Sequence, residues 1–213
     1  MTKVTAITAP SKGALTRAAI LDAAIARFGR DGYRATSVAD IARDAGLSGT
    51  AAYAYFANKE ALFLAAVDHD TAAVIREGIE AVAEGGGDPR LLDRSVAATQ
   101  NWRQSLVFTL VEALDHHPLA RRLLGGLEPE VSARVMDIPA LNELRRACSR
   151  QLREEQAQGL VRADVDPEVL GRGVVTIMLS LLMSVTQLGV DATLGYAAEV
   201  SAVFDAALNP PSA

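Results

Sequence analysis

The chain holds a single cysteine, Cys148, and only three histidines, His69, His116 and His117, among its 213 residues. One cysteine excludes an internal disulfide and any cysteine-based metal cluster. Beside the few histidines there is no Ser-His-Asp set, metal-ligand spacing or glycine-rich phosphate loop, so an enzymatic reading has no nucleophile and base to rest on. His116 and His117 are adjacent, point in different directions on a helix and make a poor metal pair. No catalytic residue, metal or cofactor is therefore expected. Alternating apolar and polar residues, the mark of a half-buried strand, are missing too, which leaves an all-helical fold. Pro10, Ser11 and Gly13 interrupt the opening segment, and no apolar core of signal-peptide length follows Lys3. A flexible arm over residues 1–13 and a cytoplasmic location are the expectations.

Positive charge is scarce overall but unevenly so. The 21 Lys and Arg against 26 Asp and Glu give a net charge of −5, which by itself argues against nucleic acid. Up to Lys59, however, eight basic residues face four acidic ones, a surplus of four that leaves −9 for the remainder. A basic head on an acidic body is the electrostatic footprint of a protein that docks DNA with one end.

What the chain does have is Thr36 to Glu60, TSVADIARDAGLSGTAAYAYFANKE. Ser37 followed three residues later by Asp40 is a capping-box-like start, the hydroxyl satisfying an orphan backbone N–H and the carboxylate meeting the positive helix end. Val38, Ile41, Ala42 and Ala45 then form one apolar stripe on a helix of about three turns. Gly46 ends it by supplying a left-handed exit, Leu47 plugs the gap, and Ser48 caps the next helix, about Gly49 to Phe56. Ala42 and Ala52 are small enough for the two helices to cross closely. Asn58 caps a longer helix running through Leu62, Leu64 and Val67 toward Ala83, with Lys59 beside amides that can grip a phosphate. Upstream, Ile20, Leu21, Ala24, Ile25 and Phe28 mark a helix over Thr16 to Arg30 that Asp31-Gly32 stops. The result is a three-helix helix-turn-helix domain over residues 14–60, whose second motif helix is the reader, and a connecting helix over 61–84.

Leu21-Asp22-Ala23-Ala24, Phe28 with Gly32-Tyr33, Thr36-Ser37-Val38, Asp40-Ile41-Ala42, Ala45-Gly46-Leu47-Ser48 and Tyr53-x-Tyr55-Phe56-x-Asn58-Lys59-Glu60 resemble the N-terminal domain of the TetR family of transcriptional regulators, over about Leu15 to Val67. The resemblance implies DNA binding in which Thr36, Ser37, Tyr53 and Lys59 contact phosphates, while Gly49, Thr50, Ala51 and Tyr55 face base edges behind the cap at Ser48. Thr50 can hydrogen-bond a base edge or touch a thymine methyl, and Ala51 can only touch the methyl. The reader departs from the family's usual pattern. Gly49-Thr50 stands where Lys, Arg or Pro and then Gly are frequent, and Ala51-Ala52 where Thr-Leu is. No basic residue lies between Ser48 and Ala57, so direct readout is thin and DNA shape is expected to carry part of the specificity.

Residues 85–213 read as a helical effector-binding and dimerisation domain. Glu84-Gly85-Gly86-Gly87 closes the connecting helix, Asp88-Pro89 opens one through Trp102 and Phe108 to about Asp115, and His117-Pro118 breaks it. A short helix over Leu119 to Leu124, an irregular piece between Pro129 and Pro139, and a longer helix from Pro139 to Gln158 follow. Asp166-Pro167 launches the most apolar helix, to about Leu188, and a last helix spans roughly Thr193 to Leu208. Gly173 to Val190 carries no charge over 18 positions, the length at which a membrane span is considered. Thr176, Ser180, Ser184, Thr186 and Gln187 interrupt it. A core helix fits better, one face in its own subunit and the other against a partner. Together with the stripe Ala197, Val200, Val203, Phe204 and Ala207, it would build a four-helix homodimer interface from helices 167–188 and 193–208, which the resemblance also implies. A dimer sets two readers about 34–36 Å apart, so the double-stranded DNA operator is expected to be an approximate palindrome.

A helical body of this size can enclose a mostly apolar cavity for a small apolar or amphipathic effector. Trp102, Phe108, Met136, Met178 and Met183 are candidate walls, and His116, His117 and Arg121, at a helix break, are candidate orienting groups. Each also has a plain structural reading, as core or as a solvated helix end where His favours the negative terminus. These features point to a ligand-controlled repressor. A constitutive DNA-binding dimer with a filled core is the alternative, and an enzyme the remote one.

Overall fold

The computed structural model describes residues 11–83, 102–132 and 138–210, and at 132 and 194–198 the backbone alone. Residues 1–10 with Lys3, the glycine linker at 84–87, the helix start at Asp88-Pro89 and Met136 lie outside the described residues. Those described hold nine α-helices, one 3-10 turn and no strand. They divide into two compact units between Asp68 and His69.

The first unit contains α1 (Lys12–Ala35), α2 (Val38–Asp44), the 3-10 turn Ala51–Ala54 and the opening of α3 (Lys59–Ala83). α1 begins ahead of the expected Thr16, inside the stretch read as an arm, because the Ser11 hydroxyl caps it by accepting from Ala14 N at 3.2 Å. Gly32, at φ 81° and ψ 170°, kinks the helix where the sequence predicts its end. Ile20, Ala24 and Phe28 are fully buried on its inner face. Phe28 meets Phe63 of α3 edge-on at 4.9 Å, and Tyr33 lies 4.8 Å from the same ring. Such aromatic pairs add about 0.5–1.5 kcal/mol beyond the area they bury.

The second unit contains the remainder of α3, α4 (Trp102–His116), α5 (Pro118–Leu124), α6 (Pro129–Ser132), α7 (Pro139–Ala157), α8 (Pro167–Leu188) and α9 (Val190–Leu208). α9 starts three residues before the expected Thr193. The cap of α8 is the one its sequence predicts: Asp166 accepts from Glu168 N at 2.8 Å, with Pro167 in the first turn. Its stripe Gly171, Val174, Val175, Met178 and Leu182 is buried, whereas Val169, Met183 and Leu188 are exposed. The chain itself thus covers one face of this helix. α7 lies so close that a Cβ on Gly171 would sit 2.9 Å from the Ser149 backbone nitrogen, and closer still to its Oγ. Next to Ser149, Cys148 is fully buried, and burial pushes its thiol up to about 12.

α5 has no capping side chain of its own. Asp70 of α3 supplies the cap, its Oδ2 accepting from Leu119 N at 3.0 Å and Ala120 N at 2.8 Å. Asp70 Oδ1 meets His117 Nδ1 at 2.7 Å, and His117 Nε2 meets Glu77 Oε1 at 3.0 Å. Both ring nitrogens face carboxylate oxygens, and only the imidazolium can donate to both. Burial by itself lowers the His117 pKa, but the hydrogen bonds to Asp70 and Glu77 outweigh it and raise the pKa above 6.5.

Gly171→Ala is expected to destabilise the fold by about 1–3 kcal/mol, which lowers the melting temperature by roughly 2–4 °C per kcal/mol at this chain length. Gly173→Ala meets open space and should leave the melt unchanged or slightly raised. Equal melting of the two variants would refute the close α7–α8 contact. Because the folded pKa of His117 is raised, the stability it contributes is complete below pH 6.5 and is lost as pH climbs through the folded value. Urea midpoints followed upward from about pH 6 should therefore fall more steeply for the wild type than for His117→Gln. Parallel slopes would mean that His117 is not cationic in the folded chain.

Candidate nucleic-acid interface and ligand cavity

α2 opens on Ser37, whose hydroxyl accepts from Asp40 N at 3.2 Å and donates to Asp40 Oδ2 at 2.7 Å. It closes on Gly46 at φ 73°. Gly46 N donates to Arg43 O at 3.0 Å and Leu47 N to Ala42 O at 2.9 Å, the paired bonds of a Schellman turn. Beyond it, the expected reading helix over Gly49 to Phe56 is instead the 3-10 turn Ala51–Ala54. Ala51 N, Tyr53 N and Tyr55 N each reach back three residues, to Ser48 O, Thr50 O and Ala52 O. Thr50, not Ser48, stands at its N-cap and makes no side-chain capping bond. Gly49, Thr50, Tyr53 and Tyr55 are weak helix formers in a segment too short to offset nucleation, and short segments settle for 3-10 geometry.

α2 and this turn meet through small residues. Ala42 and Ala52 are both fully buried, and a Cβ on Gly49 would lie 3.5 Å from Ala39 Cβ. Arg27 ties α1 to α2, its Nε and Nη2 donating to Asp44 at 2.6 and 2.9 Å. These hydrogen bonds raise the Arg27 pKa and hold the Asp44 carboxyl below the usual range. Arg30 pairs with Asp31, and Arg43 with Asp40. Three of the four acidic residues up to Lys59 are thus neutralised inside the domain.

Ser37, Ser48, Thr50 and Tyr53 are exposed, while Gly49, Ala51, Tyr55 and Lys59 are half-buried. Thr36 is buried and donates its hydroxyl to Gly32 O at 2.8 Å, so it faces into the domain. Asn58 Oδ1 accepts from Ala61 N at 2.8 Å, the cap its position predicts for α3. Lys59 holds its ammonium 4.5 Å from the Tyr33 ring centre and 3.5 Å from Arg34 O. Sequence reasoning missed Arg17, exposed on α1 with its guanidinium 4.9 Å from the ring centre of Phe56. No local pattern announces a contact between residues so far apart in the chain.

In the second unit a cavity of about 40 Å³ lies among α3, α4, α5, α7 and α8, on a scale where one water takes roughly 10–15 Å³. Met178 lines it, together with Val74, Ile75, Leu110, Leu144 and Val175 among others. The other expected pocket residues within the described chain lie elsewhere. Trp102 is buried, with Nε1 donating to Glu155 Oε1 at 2.8 Å, and serves as a tie between α4 and α7. Phe108 is exposed, because it sits two residues from both buried Leu106 and buried Leu110 and so falls on the opposite side of α4. Met183 is exposed on α8. His116 and Arg121 are exposed, Arg121 bound to Asp115 at 2.6 Å, and His117 is taken by Asp70 and Glu77.

Residues 20–66 match the family model of the bacterial regulatory proteins of the tetR family. No curated protein matches the sequence. Among solved structures, the chain is similar to a TetR-family transcriptional regulator from Pectobacterium atrosepticum, with a TM-score of 0.68 at 20% identity over 95% of this chain and 100% of that one. It is also similar to a gamma-butyrolactone receptor (ArpA-like protein), with a TM-score of 0.51 at 24% identity over 92% and 89%. A third likeness is to the fatty acid degradation regulator FadR from Bacillus halodurans, with a TM-score of 0.59 at 15% identity over 84% and 86%. These structures speak to the fold, and the family match speaks to the domain built around the Gly46 turn. Residues 20–66 thus carry the domain of the tetR-family regulatory proteins, built here as a helix-turn-helix, and the chain around it shares the all-helical fold of the solved TetR-family structures.

Proposed function

We propose that this regulator is a homodimeric, ligand-responsive repressor that reads an approximately palindromic operator in double-stranded cytoplasmic DNA. The observation that carries the reading is the Gly46 turn, beyond which Thr50 and Tyr53 stand exposed on a short segment of small side chains. In this reading Ser37, Tyr53 and Lys59 contact phosphates, and Gly49, Thr50, Ala51 and Tyr55 approach base edges. Ser48 contributes its carbonyl to the turn, and Thr36 serves the domain from inside. A reader with no cation of its own leaves positioning to backbone contacts and part of the specificity to DNA shape.

The uncovered apolar residues Val169, Met183 and Leu188 of α8 and Val190 and Val203 of α9 support dimerisation through these two helices, since soluble chains rarely leave such faces bare. The cavity in the second unit supports an effector, as do the names of two solved relatives, a gamma-butyrolactone receptor and a fatty acid degradation regulator. An effector that prefers the state not bound to DNA by about 1–3 kcal/mol would weaken operator binding roughly 5- to 150-fold. The small size of the cavity favours a second reading, a constitutive DNA-binding dimer.

Selection of duplexes from a random pool, followed by affinity measurements on the winners, tests the reading, and recovery of no enriched sequence would sink it. Lys59→Ala is expected to weaken binding to every duplex and to lower the salt slope by about one unit, whereas Thr50→Ala should reorder preferences among operators. An unchanged salt slope for Lys59→Ala removes that residue from the phosphate contacts. Met183→Arg is expected to halve the mass found by light scattering at micromolar concentration; an unaltered mass would place the interface elsewhere.

A further inference from the structure

We propose that the cavity among α3, α4, α5, α7 and α8 is the effector site and takes a compact, uncharged, apolar molecule of a few heavy atoms, a small hydrocarbon or halocarbon, to the exclusion of acids. The inference rests on the ligand-responsive reading above and narrows its chemistry.

The lining carries the argument. Val74, Ile75, Leu110, Leu144, Val175 and Met178 converge from four helices, and no charged side chain lines the cavity among the described residues. Among the described residues Thr71 brings the only hydroxyl to the lining, and that residue has a partner within the chain. Water needs two to four polar partners to stay in such a space, and this lining offers almost none. A carboxylate entering it would shed its hydration and meet no cation. An apolar guest loses nothing comparable and gains dispersion contacts that the empty space withholds from its walls.

The polar groups nearby are consumed by one another. Asp70, His117 and Glu77 satisfy each other and the first amides of α5. Arg122 is bound to Glu128 at 2.8 Å. At the other end of α5, Gln187 Nε2 donates to Leu124 O at 2.9 Å. α5 is therefore pinned at both ends, and the wall it contributes through Ala120 and Leu124 is held away from collapse into the void. Volume sets the size of the guest: about 40 Å³ is room for roughly three waters.

The full chain is tested with xenon by 129Xe NMR, and with dichloromethane and propionate by thermal shift. Val74→Ile and Val175→Ile each add one methyl to the space from a different helix, so one serves if the other fails to fold. Saturable xenon binding and a melt raised by dichloromethane but not by propionate are expected, with affinity for xenon reduced by about tenfold or more in the filled variants. Absence of saturable binding by both apolar probes overturns the inference. So does a melt raised by propionate that Val175→Ile abolishes. If both apolar probes bind and the filled variants do not, while affinity for a selected DNA duplex stays the same, the cavity chemistry stands and the ligand-responsive reading falls.

Discussion

Two backbone hydrogen bonds, from Gly46 N to Arg43 O and from Leu47 N to Ala42 O, set the direction in which the chain leaves α2. What the first unit can present to a groove follows from that direction. The bonds need the left-handed φ of 73° at Gly46, a conformation that a Cβ would resist. Arg27 then fastens α1 to Asp44, at the C-terminal end of α2. Exposed ion pairs of this kind contribute little stability in water. Burial of Phe28, Ile41 and Ala42 holds the frame together, and the polar contacts choose its geometry.

The second unit relies on charge in a different way. Asp70 is a buried carboxylate, which would be strongly unfavourable without partners. It is tolerated because two backbone amides and the His117 ring surround it. α5 has seven residues, too few to persist as a helix by its own hydrogen bonds. A cap donated by α3 fixes where that short helix begins, and with it one wall of the cavity.

Much of this was legible in the chain because it is local. Ser37 with Asp40, the glycine at 46, Asn58 before α3 and Asp166-Pro167 before α8 each act within a few residues of themselves, and each does what its chemistry predicts. The segment over Gly49 to Phe56 was the local exception, since periodicity cannot tell an α-helix of two turns from a 3-10 turn when small and aromatic residues fill it. Long-range contacts were hidden altogether. His117 reads as a solvated helix end until Asp70 and Glu77 are placed against it from α3. Trp102 reads as a pocket wall until its indole nitrogen finds Glu155 on α7. Phe108 and Met178 are similar apolar candidates in sequence, and only the packing of α4 and α8 turned one outward and the other toward the cavity.

The burial of Cys148 decides the redox chemistry open to this chain. Thiol oxidation and disulfide exchange proceed through the thiolate, and a thiol pushed up to about 12 by burial in the core withholds that species at any physiological pH. With no second cysteine in the sequence, no disulfide can form within the chain. Disulfide stress and thiol-directed reagents should therefore leave Cys148 unmodified while the chain stays folded.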